Sequence, residues 1–112
     1  MDARERRLAV NEVFFRKVNE RIESVAEAVF HAQEGTPTVW EFVCECAQRD
    51  CSERIPLTLA EYRSVRADRR RFVVAAEHAD EAIERIVDRS SRYWVVEKFG
   101  AAADIAEADA AS

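Results

Sequence analysis

Along the first third of the chain, Leu8, Asn11, Phe15, Val18, Ile22, Val25 and Val29 follow one another at intervals of three and four. That spacing is the period of an α-helix with an apolar seam, and it predicts one long helix over residues 3–33. Val10, Phe14, Ala26 and Phe30 widen the stripe beyond what a two-stranded coiled coil uses. Arg16, Lys17, Glu20, Arg21, Glu23 and Glu27 are then expected to face water. No proline or glycine interrupts the segment until Gly35 and Pro37, which predict its end. His31, near that end, reads as a cation favoured by the helix dipole. The width of the stripe gives the helix two expected contacts. One edge closes a core over a sheet; the other pairs with the same helix of a second chain, with Asn11 as a register-setting amide.

The next segments change period. Residues 38–44 are rich in Val, Trp and Phe, and alternation sets Trp40, Phe42, Cys44 and Cys46 on the expected core face of a strand. Residues 47–50 read as a turn and 54–57 as a short return strand, which Pro56 confines to an edge or an end. Thr58 with Glu61 three residues on is a capping box, opening a helix over 59–67 that buries Leu59, Tyr62 and Val65. Residues 71–75 form a second strand candidate. Residues 82–89 fit either a helix or the first arm of a hairpin turning at Ser90-Ser91. The hairpin is favoured because Tyr93-Trp94-Val95-Val96 is strongly strand-like and needs a neighbour. After Gly100 the chain is alanine and acid with little bulk, and residues 100–112 are read as a disordered tail. The fold class expected is α+β: one domain over residues 1–99, with a long N-terminal helix, a small mainly antiparallel sheet and one short helix between strands.

Composition narrows the function. The chain has 112 residues, 48% hydrophobic and 35% charged, enough for one core. No apolar run approaches the roughly 20 residues of a membrane span, and the charged start carries no export signal, so a cytoplasmic location is expected. A net charge of −5 counts against general nucleic-acid affinity. Of the 17 cationic residues only Lys17 and Lys98 are lysines, a coding bias that suggests a bacterial, GC-rich source. No catalytic signature or phosphate loop is present, so a non-enzymatic module is expected.

The candidate chemistry lies in Cys44-Glu45-Cys46-Ala47-Gln48-Arg49-Asp50-Cys51, which holds all three cysteines. Cys44 and Cys46 leave one face of a strand, Cys51 returns after a turn, and His78 follows the next strand. Together they make a candidate Cys3His zinc set. Against it stands the spacing, since the common knuckle is Cys-x2-Cys. The competing readings are three reduced cysteines packed as small hydrophobes, or a thiol sensor or enzyme with Cys51 as its reactive sulfur. Arg63, Arg66, Arg69, Arg70 and Arg71 form a basic run that reads as a weak partner-binding or nucleic-acid patch, or as a solvated helix end.

The pattern Phe42-Val43-Cys44-Glu45-Cys46, Cys51, Leu57-Thr58, Glu61-Tyr62, Val65-Arg66, His78 and Val95-Val96-Glu97-Lys98 resembles a family of small uncharacterised bacterial proteins, mainly actinobacterial. The resemblance spans residues 11–99 and implies no activity. Members tend to carry Pro-Gly before the histidine, where this chain has Ala76-Glu77. A glycine there admits a backbone angle that glutamate resists, which counts against a tight loop presenting His78.

Overall fold

The structure is a computed structural model that describes residues 3–30, 39–46, 48 and 50–111. The expected helix end at Gly35 and Pro37, His31, and part of the turn at 47–50 lie outside the described residues. The elements run α1 (Ala3–Phe30), β1 (Val39–Val43), β2 (Arg54–Thr58), α2 (Leu59–Arg66), β3 (Arg71–Val74), β4 (Glu84–Arg89), β5 (Trp94–Lys98) and α3 (Gly100–Ala111). The α+β class and the short helix between strands are as expected. No helix among the described residues is long and apolar enough to cross a membrane.

The strands form two small antiparallel sheets. β1 pairs with β2, with Phe42 opposite Ile55 and Glu41 opposite Pro56, so the proline sits where its missing N–H can be accommodated at a strand edge. The second sheet has the order β3-β5-β4. Residues 84–89 are therefore the hairpin arm and not a helix, with a register shift between Ile86 and Asp88 against β5. α2 begins at the predicted capping box. Thr58 Oγ1 accepts from Glu61 N–H, and the Glu61 carboxylate accepts in turn from Thr58 N–H. Leu59, Tyr62 and Val65 face inward, and the Tyr62 ring stacks on Phe42 with centroids 4.5 Å apart. These join Ile55, Leu57, Phe72, Val73, Val74 and Val96 in one core, where each large apolar side chain contributes about 1.5–3 kcal/mol by leaving water.

The tail expectation is corrected. Residues 100–111 form helix α3, with Ala102, Ala103 and Ala106 buried. Alanine has little area to bury but the highest helix propensity, and its small side chain lets helices approach closely. Ala102 meets Ala9 of α1 and Ile83, and Arg16 Nη2 donates to Ala106 O (2.9 Å). The chain enters α3 through Gly100 at φ +60, an angle natural to glycine.

The seam read on α1 is also corrected. The helix buries Ala9, Glu12, Arg16, Asn19 and Ala26, while Leu8, Asn11, Phe15, Val18 and Ile22 are half-buried and Val25 is exposed. The buried positions repeat by three, four, three and seven residues, so the helix carries a second heptad row. That row lies roughly a quarter turn from the apolar one. It wins because each polar member meets a partner on another element, which offsets part of the cost of burying it. The Lys98 ammonium bonds both Glu12 and Glu84, all three fully buried. Arg16 Nη1 donates to Arg69 O (2.8 Å), and its guanidinium lies over the Phe72 ring. The Asn19 side chain works as a short strand on the edge of β1. Its Nδ2 donates to Val43 O and its Oδ1 accepts from Val43 N–H (2.8 and 2.7 Å). Asn19 is the amide that fixes α1 against β1.

Candidate metal centre

Beyond Val43 the chain stays extended and changes sheets. Glu45 N–H donates to Val73 O of β3 at 2.8 Å, so residues 44–46 bridge the first sheet to the second. Alternation sends Cys44 and Cys46 to one side and Glu45 to the other, and all three are buried. Cys51 reaches the same spot from the turn that its N–H closes onto Gln48 O (3.1 Å). His78 comes from the loop after β3, where its N–H donates to Ala75 O (3.0 Å). The residue before it, Glu77, takes φ +71. The left-handed bend that a glycine would favour is therefore made here by a glutamate, at a cost of about 1 kcal/mol, and the loop does present His78.

The four predicted donors converge. One ligand atom from each of Cys44, Cys46, Cys51 and His78 lies within 4.8 Å of all the others. His78 Nδ1 stands 3.7 Å from Cys44 Sγ and 3.5 Å from Cys51 Sγ. A tetrahedral zinc with Zn–S of about 2.3 Å and Zn–N of about 2.0–2.1 Å has an S···N edge of about 3.6 Å and an S···S edge of about 3.8 Å, so both His78–sulfur separations match it and the wider donor pairs close by up to about 1 Å around an ion. Amide support, which a Cys-x2-Cys turn would supply locally, comes from another element: Ala75 N–H donates to Cys44 Sγ at 3.1 Å. The residues present can hold a metal ion.

Electrostatics favours a thiolate in the cluster even without an ion. A hydrogen bond with Cys44 holds the Cys46 thiol down at about 5, and the same contact pushes Cys44 up. Burial raises Cys51. The most acidic sulfur is the buried Cys46, whereas Cys51, the most open of the three, is the less acidic.

Glu45 was missed in the sequence, although a lone acid between two core-facing cysteines is the signal. Its carboxylate is the hub behind the ligands. Oε2 accepts from Asn19 Nδ2 (2.9 Å) and the Tyr62 hydroxyl (3.1 Å), and Oε1 accepts from Val73 N–H (2.9 Å). Burial pushes its pKa up, and the Asn19 and Val73 hydrogen bonds oppose that rise. One side chain thereby ties α1, α2 and β3 to the strand that carries two ligands.

Most of the basic run is paired within the chain. Arg63 pairs with Glu23 and Glu27, Arg70 with Glu107, and Arg71 with Asp68 and Glu97. Arg66 Nη1 donates to Arg71 O (2.6 Å) with its guanidinium 5.8 Å from the Phe72 ring centroid. Arg69 is exposed. Four of the five arginines are thus committed to internal partners.

The chain matches no protein-family model, no curated protein and no solved structure.

Proposed function

We propose that this chain is a small non-enzymatic binding module whose fold is stapled by a structural zinc ion held by Cys44, Cys46, Cys51 and His78. The observation that carries the reading is the convergence of four soft or borderline donors, from three separate stretches of chain, to within 4.8 Å of one another. Three sulfurs and one imidazole are a closed zinc set, and four protein ligands leave no position for a substrate. The site lies where residues 44–46 pass from one sheet to the other, so a bound ion locks the β1–β2 connection to the β3–β4 connection. Metal bound only by the folded chain adds its binding free energy to folding.

Elemental analysis of protein purified without added metal or chelator tests this, together with a thiol titration. The expected result is about one zinc per chain, with all three thiols slow to react until a chelator is added. His78→Ala and Cys46→Ser should each lower metal retention and the thermal midpoint. Metal-free protein that also fails to take up added zinc would overturn the reading. So would a chelator that leaves the midpoint of a zinc-loaded sample unchanged.

A further inference from the structure

With its polar row turned inward, α1 leaves an apolar row facing out. Phe14 and Val25 are each 61% exposed and Val10 is 49% exposed. Towards the C-terminal end of the helix this row borders a groove of about 370 Å³ lined by Val18, Arg21, Ile22, Val25 and Trp40. The face is one-sided in charge. Arg4, Arg7 and Arg21 are exposed and make no ion pair among the described residues. Elsewhere Arg63, Arg70, Arg71, Arg85 and Arg92 meet carboxylates, while the exposed Arg54, Arg69 and Arg89 make no ion pair among the described residues. The acids of α1 whose side chains are described lie on its other side: Glu12 is buried on Lys98, Glu20 reaches Arg16, and Glu23 and Glu27 hold Arg63.

We propose that this outward face of α1 docks an acidic amphipathic helix of a partner protein. From Arg7 to Val25 the face runs about 27 Å, the length of a helix of about 18 residues. Leucine-sized anchors at helical spacing fill the groove beside Trp40 and cover Phe14, as in helix-in-groove recognition. Carboxylates flanking those anchors meet Arg7 and Arg21, which nothing in the described chain neutralises. A second copy suits the face less well, because it brings the same arginines and no carboxylates. A bilayer suits it less well because a chain of net charge −5 gains little from an anionic surface. The face lies on a different element from the sulfurs, so this proposal and the metal reading fail independently.

The test uses the full zinc-loaded chain and two synthetic 18-residue peptides with leucines at i, i+3, i+4 and i+7. One peptide carries glutamates beside the leucines; the other carries lysines in their place. Fluorescence anisotropy should show one acidic peptide bound per chain, weakening as salt rises, and little binding of the lysine peptide. The double variant Arg7→Glu/Arg21→Glu should lose at least tenfold for the acidic peptide and gain for the lysine peptide. That gain shows the variant to be folded and the effect to be one of charge, and an unchanged circular dichroism spectrum checks the fold independently. No binding of the acidic peptide at low salt, equal binding of both peptides, or indifference to the charge reversal would overturn the proposal. A stable dimer in sedimentation that blocks the peptide, or adsorption to phosphatidylglycerol vesicles without peptide binding, would overturn it in favour of those occupants.

Discussion

Replacing Glu45 with alanine should be among the most damaging single changes to the fold, although Glu45 is not a ligand. Its two oxygens accept from Asn19 Nδ2, the Tyr62 hydroxyl and Val73 N–H. Asn19 Nδ2 keeps a second acceptor at Val43 O, so Glu45→Ala strands the Tyr62 hydroxyl and the Val73 amide outright and weakens the third donor. Each stranded buried donor costs about 1–3 kcal/mol, and the lost side-chain volume adds to that, for a total of at least about 2–6 kcal/mol. A chain of this length has roughly 5–15 kcal/mol in all, so the variant should lose a large part of its stability and at least roughly 8 °C in thermal midpoint. Glu45→Gln should fall between. Its carbonyl oxygen still accepts, but its NH2 is forced against a donor, for about 1.5–3 kcal/mol. Urea unfolding at saturating zinc, followed by circular dichroism, measures both. The side chain points away from the sulfurs, so zinc stoichiometry should stay at one while stability falls. A loss below about 1 kcal/mol for Glu45→Ala would refute the claim that this carboxylate is the polar hub of the fold.

Three further outcomes are expected. Glu77→Gly should stabilise the protein by up to about 0.5 kcal/mol, because glycine takes φ +71 without the left-handed strain, less the backbone entropy it returns to the unfolded chain; a destabilised variant in urea melts would refute the strain assignment. Burial pushes the Glu12 carboxyl well above the usual carboxylate range, against the pull of Lys98, so the folded state keeps a proton that the unfolded state has released. This stabilising contribution is whole below the unfolded pKa and is lost as pH rises through the raised folded value; the stability of the zinc-loaded wild type relative to Glu12→Gln should therefore fall with rising pH, and a pH-independent difference would refute it. Thr58→Ala removes the oxygen that caps α2 at Glu61 N–H and should cost about 1 kcal/mol, measured by the same urea melts, with no effect on zinc content; an unchanged urea midpoint would count against the cap.

Local rules made much of this protein legible before any coordinates. The long N-terminal helix, the capped start of α2, the strand-rich segments and the hairpin at 84–98 follow from periods of 3.6 and 2 and from Thr58 with Glu61, which act over a few residues. The candidate ligands were legible too, because Cys44, Cys46 and Cys51 are close in sequence and His78 follows the next strand. Which face of α1 turns inward was decided only by tertiary structure. Two heptad rows compete on that helix, and the polar row prevails because Lys98, Val43 O, Arg69 O and Ala106 O are waiting beneath it. Those acceptors and that ammonium lie up to 90 residues away in sequence, so no local pattern announces them. The same long-range logic orders α3, whose alanines gain little alone but pack once Ala9 is opposite, and it makes Glu45 a hub instead of a surface acid. A sequence prices a buried charge as a loss; only the folded arrangement of its partners shows that the loss is offset.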